Sequence, residues 1–338
     1  MGAQEIGLPL PWVLGPMFGV GFLSLAGVAG RQPIVLRNTG QVSLGLALGL
    51  YFSPAVIAEL SQMAGWMVLG AVFSLCVGVL FARFMQRFAR LDGYTAIYAS
   101  AIGAAGDMAI QAQKIGADGA SVATSHAIRL MIVVTVIPFI ASAWGMDAAA
   151  LAMKAKAQLP LIDPMHLAVI AVFAFVLPIF AVKTKFPNPW VLIPLSCAGV
   201  YAAMGNETRL PDLLVNAGTL LLGWNLGQHL TKEFFKASPR VMLGAALMTV
   251  SMLLLSFAFA TFLHFVVQLP PLTAVVAASP GGIVEMSITA KVLGLGAAVV
   301  TAFQLVRLIS VIVLIKPIAD LLVRSGWLGL SSPVSPKK

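Results

Sequence analysis

The sequence predicts an all-α fold: a polytopic transmembrane helical bundle of two tandem homologous repeats, with broken or re-entrant helices and an inverted, transporter-like topology. Three observations predict it. The chain is strongly apolar, it contains about eleven apolar stretches whose lengths approach a membrane span, and its two halves match at one constant offset.

The composition excludes several classes of protein. Of 338 residues, 59% are hydrophobic and only 10% are charged, whereas soluble domains carry about 25% charged residues. The 33 charged side chains (21 Lys and Arg, 12 Asp and Glu) cannot cover a globule of this size, so a soluble enzyme, a disordered chain and a coiled coil are excluded. The net charge of +9 is not gathered into any basic run of five residues. We therefore expect a lipid bilayer as the partner, and no nucleic acid.

The apolar stretches define the predicted elements in chain order. They cover residues 10–30, 38–54, 63–82, 94–112, 119–144, 166–183, 189–205, 213–230, 241–267, 272–290 and 297–322. Stretches 38–54, 94–112 and 272–290 contain glycine, proline or polar residues that predict broken or re-entrant helices.

The domain organisation follows from the same stretches. We assign residues 1–144 to a first transmembrane repeat and 166–322 to a second. The polar segment 145–165 is predicted as a surface helix or loop that links them, and residues 323–338 form a C-terminal tail.

An internal duplication is the strongest pattern in the sequence. Residues 11–16 (PWVLGP) recur 178 positions later at 189–194 (PWVLIP). The same offset relates further pairs over about 120 residues, which apolar low complexity does not explain. They are Asn38 with Asn216, Thr95 with Thr273, Gly103 with Gly281, Asp107 with Glu285, and Arg129 with Arg307.

Charged loops predict that the two copies lie in opposite orientations. The segment after stretch 63–82 holds Arg83, Arg87 and Arg90, while its counterpart near 261–268 holds no Lys or Arg. The loop 55–62 shows the reverse relation to its counterpart. By the positive-inside rule the repeats are then inverted. Counting every stretch as a full span would make them parallel, so inversion requires one element that does not cross.

The sharpest local feature is the segment Ser279, Pro280, Gly281, Gly282, followed at the third position by Glu285. Proline interrupts a helix and the glycines allow close approach to the backbone. The helix that starts near Gly282 could bind an anion at its N-terminus. Alternatively, Glu285 at position N3 caps its own helix.

Two aligned acid–arginine pairs are the main ionisable groups inside apolar stretches: Asp107 with Arg129, and Glu285 with Arg307. Such groups are functional candidates in a membrane. Each acid precedes a short turn and each arginine follows it by about three helical turns, so acid and arginine could meet at similar depth. Two alternatives stay open, a buried ion pair that fixes packing and a carboxylate that exchanges protons or Na⁺ while the arginine holds an anion.

Other polar positions are weaker candidates. Asn38 and Asn216 could contact a substrate, cap a broken helix or hydrogen-bond between helices. The glycines that follow them, such as Gly45 and Gly49, predict close helix contact. His126 aligns with Gln304, one turn before each arginine, and either could extend a polar network. The histidines and the two cysteines show no metal-ligand spacing, and we expect no metal and no cofactor.

These motifs resemble a known family. The phrase Ser-Pro-Gly-Gly-x-x-Glu-Met at 279–286, followed by Gln304 and Arg307, and the phrase LPLPWVLGP at 8–16 are similar to the AbrB-type membrane duplication family. The resemblance implies a two-copy bacterial inner-membrane protein, sometimes linked to gene regulation and often labelled an ammonia monooxygenase. It is unrelated to the soluble DNA-binding regulator of the same name. In the first copy the motif becomes Gly103-Ala104-x-x-Asp107 with His126, which favours the second copy as the site.

The sequence thus predicts a multi-pass protein of the bacterial inner membrane that is not an enzyme. Our expected function is a secondary transporter or exporter of a small, anionic solute driven by an ion gradient. A membrane protein with an indirect role in gene regulation is the alternative. A monooxygenase is disfavoured because four dispersed His and two Cys give no recognisable redox-metal site. A homo-oligomer stays open.

Overall fold

The computed structural model describes residues 10–28, 30–143, 159–184, 186–230 and 238–329. Within these residues the chain forms fourteen helices and no strand, which confirms the predicted all-α class. Most of the predicted linker 145–165 lies outside the described residues.

Seven helices lie in the first half of the chain. They are α1 Pro11–Ala26, α2 Ile34–Gly49, α3 Pro54–Gln62, α4 Ala64–Phe88, α5 Gly93–Ser100, α6 Ala105–Lys114 and α7 Gly119–Ala143. The helices of the second half are α8 Pro164–Lys183, α9 Pro189–Ala203, α10 Asp212–Gly227, α11 Pro239–Val267, α12 Pro271–Ala278, α13 Ile283–Val292 and α14 Ala297–Arg324.

In the part of the chain that the structure describes, five helices are long and apolar enough to cross a membrane: α4, α7, α8, α11 and α14. The pair α2 and α3 passes the same test together but is bent by 83°, and α1 and α9 are shorter apolar helices. Only 17% of the apolar window of α8 is buried, against 61% for α14. The chain is therefore a multi-pass membrane protein in which α8 faces the lipid and α14 lies inside the bundle.

Helix boundaries repeat at the offset found in the sequence. The starts of α1 and α9, α2 and α10, α5 and α12, α6 and α13, and α7 and α14 are each 178 residues apart. The left-handed backbone at Arg90 recurs at Gln268, and that at Leu10 recurs at Asn188. The duplication itself stays a prediction of the sequence, and these matched positions are what it expects.

Glycines hold α1, α2, α9 and α10 of the first group of helices in close contact, and α8 packs on α9. A Cβ added to Gly45 on α2 would lie 2.7 Å from the carbonyl oxygen of Val191 on α9. A Cβ at the equivalent Gly223 on α10 would lie 3.1 Å from Cβ of Pro16 on α1. The prediction that these glycines mark close helix contact is confirmed. We call these five helices the glycine-packed group.

Equivalent helices run in opposite directions. The rings of Phe73 on α4 and Phe259 on α11 stack at 4.3 Å, while a Cβ at Gly244 on α11 would lie 3.1 Å from Sδ of Met85. The contacts pair residues of higher number on α4 with residues of lower number on α11, so the two helices are antiparallel.

The pair α2 and α10 shows the same relation. Ser43 Oγ donates to the carbonyl of Leu214 at 2.7 Å, and a Cβ at Gly40 would lie 2.9 Å from Leu221. Here too the numbers rise along one helix as they fall along its equivalent.

The second group of helices, α4–α7 and α11–α14, contains the broken segments. Helix α4 packs on α14 and α7 packs on α11, while the short helices α5, α6, α12 and α13 lie between them. We call this second group the hairpin group, because its short helices form the two hairpins described below. It contacts the glycine-packed group mainly through α13, which packs on α2.

Candidate functional site at the tips of two hairpins

Helices α5 and α6 form a hairpin that returns to the end of the bundle from which it starts. The backbone N–H of Asp118, just after α6, donates to Oγ1 of Thr95 near the start of α5 at 2.9 Å. The tip between the two helices, residues 101–104, contacts Arg129. This arginine lies eleven residues beyond Asp118, or roughly 16 Å along α7, about half of a 30 Å hydrocarbon core. The tip therefore lies near mid-depth.

Helices α12 and α13 form an equivalent hairpin. The N–H of Gly296 donates to Oγ1 of Thr273 at 3.4 Å, and the tip, residues 279–282, contacts Arg307, again eleven residues further on. The sequence matched Thr95 with Thr273, but reasoning from the sequence did not assign them this role in closing the hairpins.

The two hairpins enter the bundle from opposite ends. The first follows the end of α4 and the second follows the end of α11, and these helices are antiparallel. A hairpin that returns to its own side adds no crossing. The inverted arrangement of the repeats stays a prediction, and one hairpin of this kind in each half is what it expects.

The tip of the second hairpin is shaped by its proline and glycines. Helix α12 ends at Ala278, Ser279 is extended, and Pro280 has no N–H to continue a helix. A Cβ at Gly281 would lie 2.8 Å from Sδ of Met286, so any larger residue here would displace the Met286 side chain. At Gly103 in the first hairpin a Cβ would lie 3.0 Å from Met108 Sδ.

Arg307 holds the second tip through its carbonyl groups. Its Nη1 donates to the carbonyl of Ser279 at 2.7 Å and its Nη2 to that of Gly281 at 2.5 Å. Nη2 also donates to Oε1 of Gln304, whose amide Nε2 donates to the carbonyl of Val276 at 3.2 Å. Arg307 and Gln304 are 5% and 1% exposed. The pair therefore satisfies carbonyl groups that end α12 in a dry environment.

Arg129 holds the first tip in the same way. It donates to the carbonyls of Ala101 at 2.6 Å and Gly103 at 3.1 Å. His126 lies one turn before it, with Nε2 2.9 Å from the carbonyl of Tyr98 and Nδ1 2.9 Å from Nη2 of Arg129. This network assigns the tautomer in which Nε2–H donates and Nδ1 accepts. The expectation that His126 and Gln304 extend a polar network is met at both tips.

The buried ion pair, one of the two alternatives for each acid and its arginine, does not form in the described residues. No ion pair joins Asp107 to Arg129, or Glu285 to Arg307, in the described part of the chain. Each guanidinium instead binds the carbonyl groups at the broken end of a helix, where the helix dipole is negative.

Glu285 lies on the other side of the break, at the N-terminal end of α13. Helix α13 begins after Gly282, which places the acid in its first turn. The carboxylate folds back over Gly282, where an added Cβ would lie 2.9 Å from Cδ of Glu285. This geometry is that of an acid that caps its own helix. The same carboxylate interacts electrostatically with Arg129 of the other half, so the two tips are close enough to influence each other.

Asp107 has different surroundings, which agrees with the departure of the first copy from the motif. Its carboxylate is directed at the backbone N–H of Asn188, at the start of α9. One of its oxygens, Oδ2, is buried without a hydrogen-bond partner in the described structure. The two tips are therefore equivalent in their arginines but not in their acids.

Asn38 and Asn216 lie on α2 and α10 in the glycine-packed group, and Oδ1 of Asn38 is buried without a described hydrogen-bond partner. In the described residues the tip carbonyls are held by Arg129 and Arg307. The roles considered for the two asparagines stay predictions of the sequence. Among the residues that the structure describes, no three His, Cys, Asp or Glu side chains come together as a metal site.

Comparison with known proteins agrees with the resemblance seen in the motifs. A family model described as "Transition state regulatory protein AbrB" matches residues 12–323. An "Uncharacterized protein YhjN" of Bacillus subtilis (strain 168) is 25% identical over 299 residues, covering 84% of this chain and 77% of the relative. A "Putative regulator AbrB" of Escherichia coli (strain K12) is 23% identical over 316 residues, covering 92% of this chain and 90% of the relative. No solved structure matches the chain.

Proposed function

The chain belongs to the AbrB family, and on that premise we propose that it is a secondary transporter or exporter in the bacterial inner membrane. It moves a small, anionic solute and is driven by an ion gradient. The observation that carries the proposal is the pair of hairpins that enter from opposite ends and present arginine-held tips near mid-depth.

The architecture supports transport because it supplies two groups of helices around a site of broken backbone. Secondary transporters bind substrates near the bilayer midplane, where discontinuous helices end, and their repeats are often inverted. Here the equivalent helices α4 and α11 are antiparallel, and the hairpin group meets the glycine-packed group mainly through α13. Relative movement of the two groups would expose the tips to each side in turn.

The charges at the tips favour an anion. Arg129 and Arg307 repel each other electrostatically, and Glu285 is the acid that interacts with Arg129. The three groups that interact with one another, two guanidinium groups and one carboxylate, sum to one positive charge. Asp107, the acid of the first tip, interacts with Asn188 and Lys114 instead. Ionisable groups inside a membrane are costly and functional by default. A small anion would neutralise this charge. A sodium ion would increase it.

The test is uptake into proteoliposomes of radiolabelled small carboxylates, with an imposed pH or Na⁺ gradient. We expect gradient-dependent uptake of at least one carboxylate in the native chain and its loss in Glu285→Gln. The matched control is Glu59→Gln, which makes the same change at an exposed acid of α3 outside both hairpins and should preserve flux. Gradient-coupled flux that is normal in Glu285→Gln would contradict the assigned role, and no gradient-dependent flux of any carboxylate would contradict the proposal.

The family model is named for a regulatory protein and one relative for a putative regulator. An indirect role of this chain in gene regulation would follow from the movement of a metabolite. Cells that lack the protein and receive Glu285→Gln separate the two ideas. Rescue of a regulatory phenotype by a variant without flux would favour a sensor over a transporter.

A further inference from the structure

An open groove at the end of α4 takes no part in the hairpin site. It has a volume of about 490 Å³ and is lined by Arg83, Phe84, Arg87 and Phe88. Two cations and two aromatic rings thus share one open face of α4, where a candidate membrane span ends.

The apolar floor of the groove is well ordered by packing. The rings of Phe84 and Phe88 stack at 5.3 Å, and a Cβ at Gly244 on α11 would lie 3.1 Å from the ring of Phe88. The stack is therefore supported from the neighbouring helix and presents a flat surface to whatever enters the groove.

One arginine of the groove is fixed and the other is free to bind. Arg83 Nη1 donates to the carbonyl of Trp327 at 2.6 Å, and its guanidinium lies 5.0 Å from the centre of the Trp327 ring. Arg87 is exposed and makes no hydrogen bond or ion pair with any residue that the structure describes. Arg83 likewise has no acidic partner among the described residues, so neither positive charge is neutralised there.

Further cations increase the positive potential at this end of the bundle. Arg90 is exposed three residues after Arg87, and Arg240 is exposed one turn before Gly244 on α11. By the positive-inside rule this end faces the cytoplasm, where the membrane surface carries anionic lipids.

From this arrangement we propose that the groove is a binding site for an anionic phospholipid of the cytoplasmic leaflet. The phosphate group contacts Arg87 and the free donors of Arg83, and the first part of an acyl chain lies on the stacked rings of Phe84 and Phe88. A membrane lipid satisfies both halves of the groove at once, because it joins a phosphate to an apolar chain. A free inorganic anion would leave the aromatic floor uncovered.

The proposal is tested on the full chain in nanodiscs that contain spin-labelled phosphatidylglycerol or phosphatidylcholine. We expect phosphatidylglycerol to associate more tightly, with a preference that falls as salt rises. Arg87→Gln should weaken the preference about fivefold, because one basic side chain near an anionic surface contributes about that factor. Arg87→Lys should preserve most of it.

Lys183→Gln is the matched control, since it removes one exposed positive charge outside the groove and should leave the preference within about twofold. Three results would overturn the proposal: no preference for phosphatidylglycerol in the native chain, an unchanged preference in Arg87→Gln, or an equal loss in Lys183→Gln. Displacement of the spin-labelled lipid by millimolar inorganic phosphate would also overturn it, because the site would then recognise a free anion.

Discussion

Arg307→Leu should destabilise the tip of the second hairpin. The guanidinium donates to the carbonyl groups of Ser279 and Gly281 at 2.7 and 2.5 Å. Both residues are buried, so water cannot replace the lost donors. A hydrogen bond from a charged group contributes about 1.5–3 kcal/mol, and two such bonds predict a loss of about 3–6 kcal/mol in the free energy of unfolding.

The assay is reversible unfolding in mixed detergent micelles, with hydrogen exchange of the tip amides as a local readout. Arg307→Leu should lower the unfolding free energy by the stated amount and increase exchange at Gly281. Arg307→Lys keeps the charge but not the two-pronged geometry, so it should lose about half as much. Arg324→Gln, at an exposed position near the end of α14, is the control and should change stability by less than about 0.5 kcal/mol.

A loss below about 1 kcal/mol in Arg307→Leu, with unchanged exchange at Gly281, would refute the reasoning. It would mean that the tip carbonyls have other partners and that the arginine does not hold the hairpin.

Three further predictions concern packing and hairpin closure. Gly45→Ala should destabilise the protein by about 1–3 kcal/mol, because its Cβ would meet the Val191 carbonyl at 2.7 Å. Gly65→Ala, whose Cβ would meet nothing within 4 Å, should be neutral or slightly stabilising in the same unfolding assay. Equal losses in the two variants would contradict the close-contact account. His126→Leu should cost about 1–3 kcal/mol, because the buried Tyr98 carbonyl loses its donor, and His126→Gln should cost less than half of that; a larger cost for glutamine would show that the two tips are not interchangeable. Thr95→Val should remove the acceptor of the Asp118 N–H and increase hydrogen exchange at that amide; unchanged exchange would mean that this bond does not close the hairpin.

The class of fold and several elements could be predicted from the sequence because hydropathy and backbone breaks are local signals. The apolar stretches 63–82 and 241–267 correspond to α4 and α11, and Pro280 with Gly281 marked the break between α12 and α13. The course of the chain after the break could not be predicted. Two half-length helices can continue across a membrane or return, and the return of the first pair is shown by the contact between Thr95 and Asp118, with both helices packed on α7.

The composition of the site was predicted in part, and the error has a physical cause. The sequence singled out Arg129 and Arg307 and the acids that precede them, but it counted side-chain charges only. A broken helix also exposes carbonyl oxygens at its negative end, and these compete with a carboxylate for the guanidinium. Gly282 leaves room for Glu285 to fold back on its own helix, and both guanidinium groups donate to backbone carbonyls, while Oδ2 of Asp107 is buried without a described partner.

The central claim is that the two hairpins enter the membrane from opposite sides. Arg90 and Gln268 test it most directly, since both are exposed, share a left-handed backbone and lie just before the first and the second hairpin. In a chain whose Cys76 and Cys197 are replaced by serine, Arg90→Cys and Gln268→Cys are labelled with a membrane-impermeant maleimide added to one face of the membrane. We predict that Arg90→Cys reacts only from the cytoplasmic face and Gln268→Cys only from the opposite face. Labelling of both positions from the same face would contradict the account.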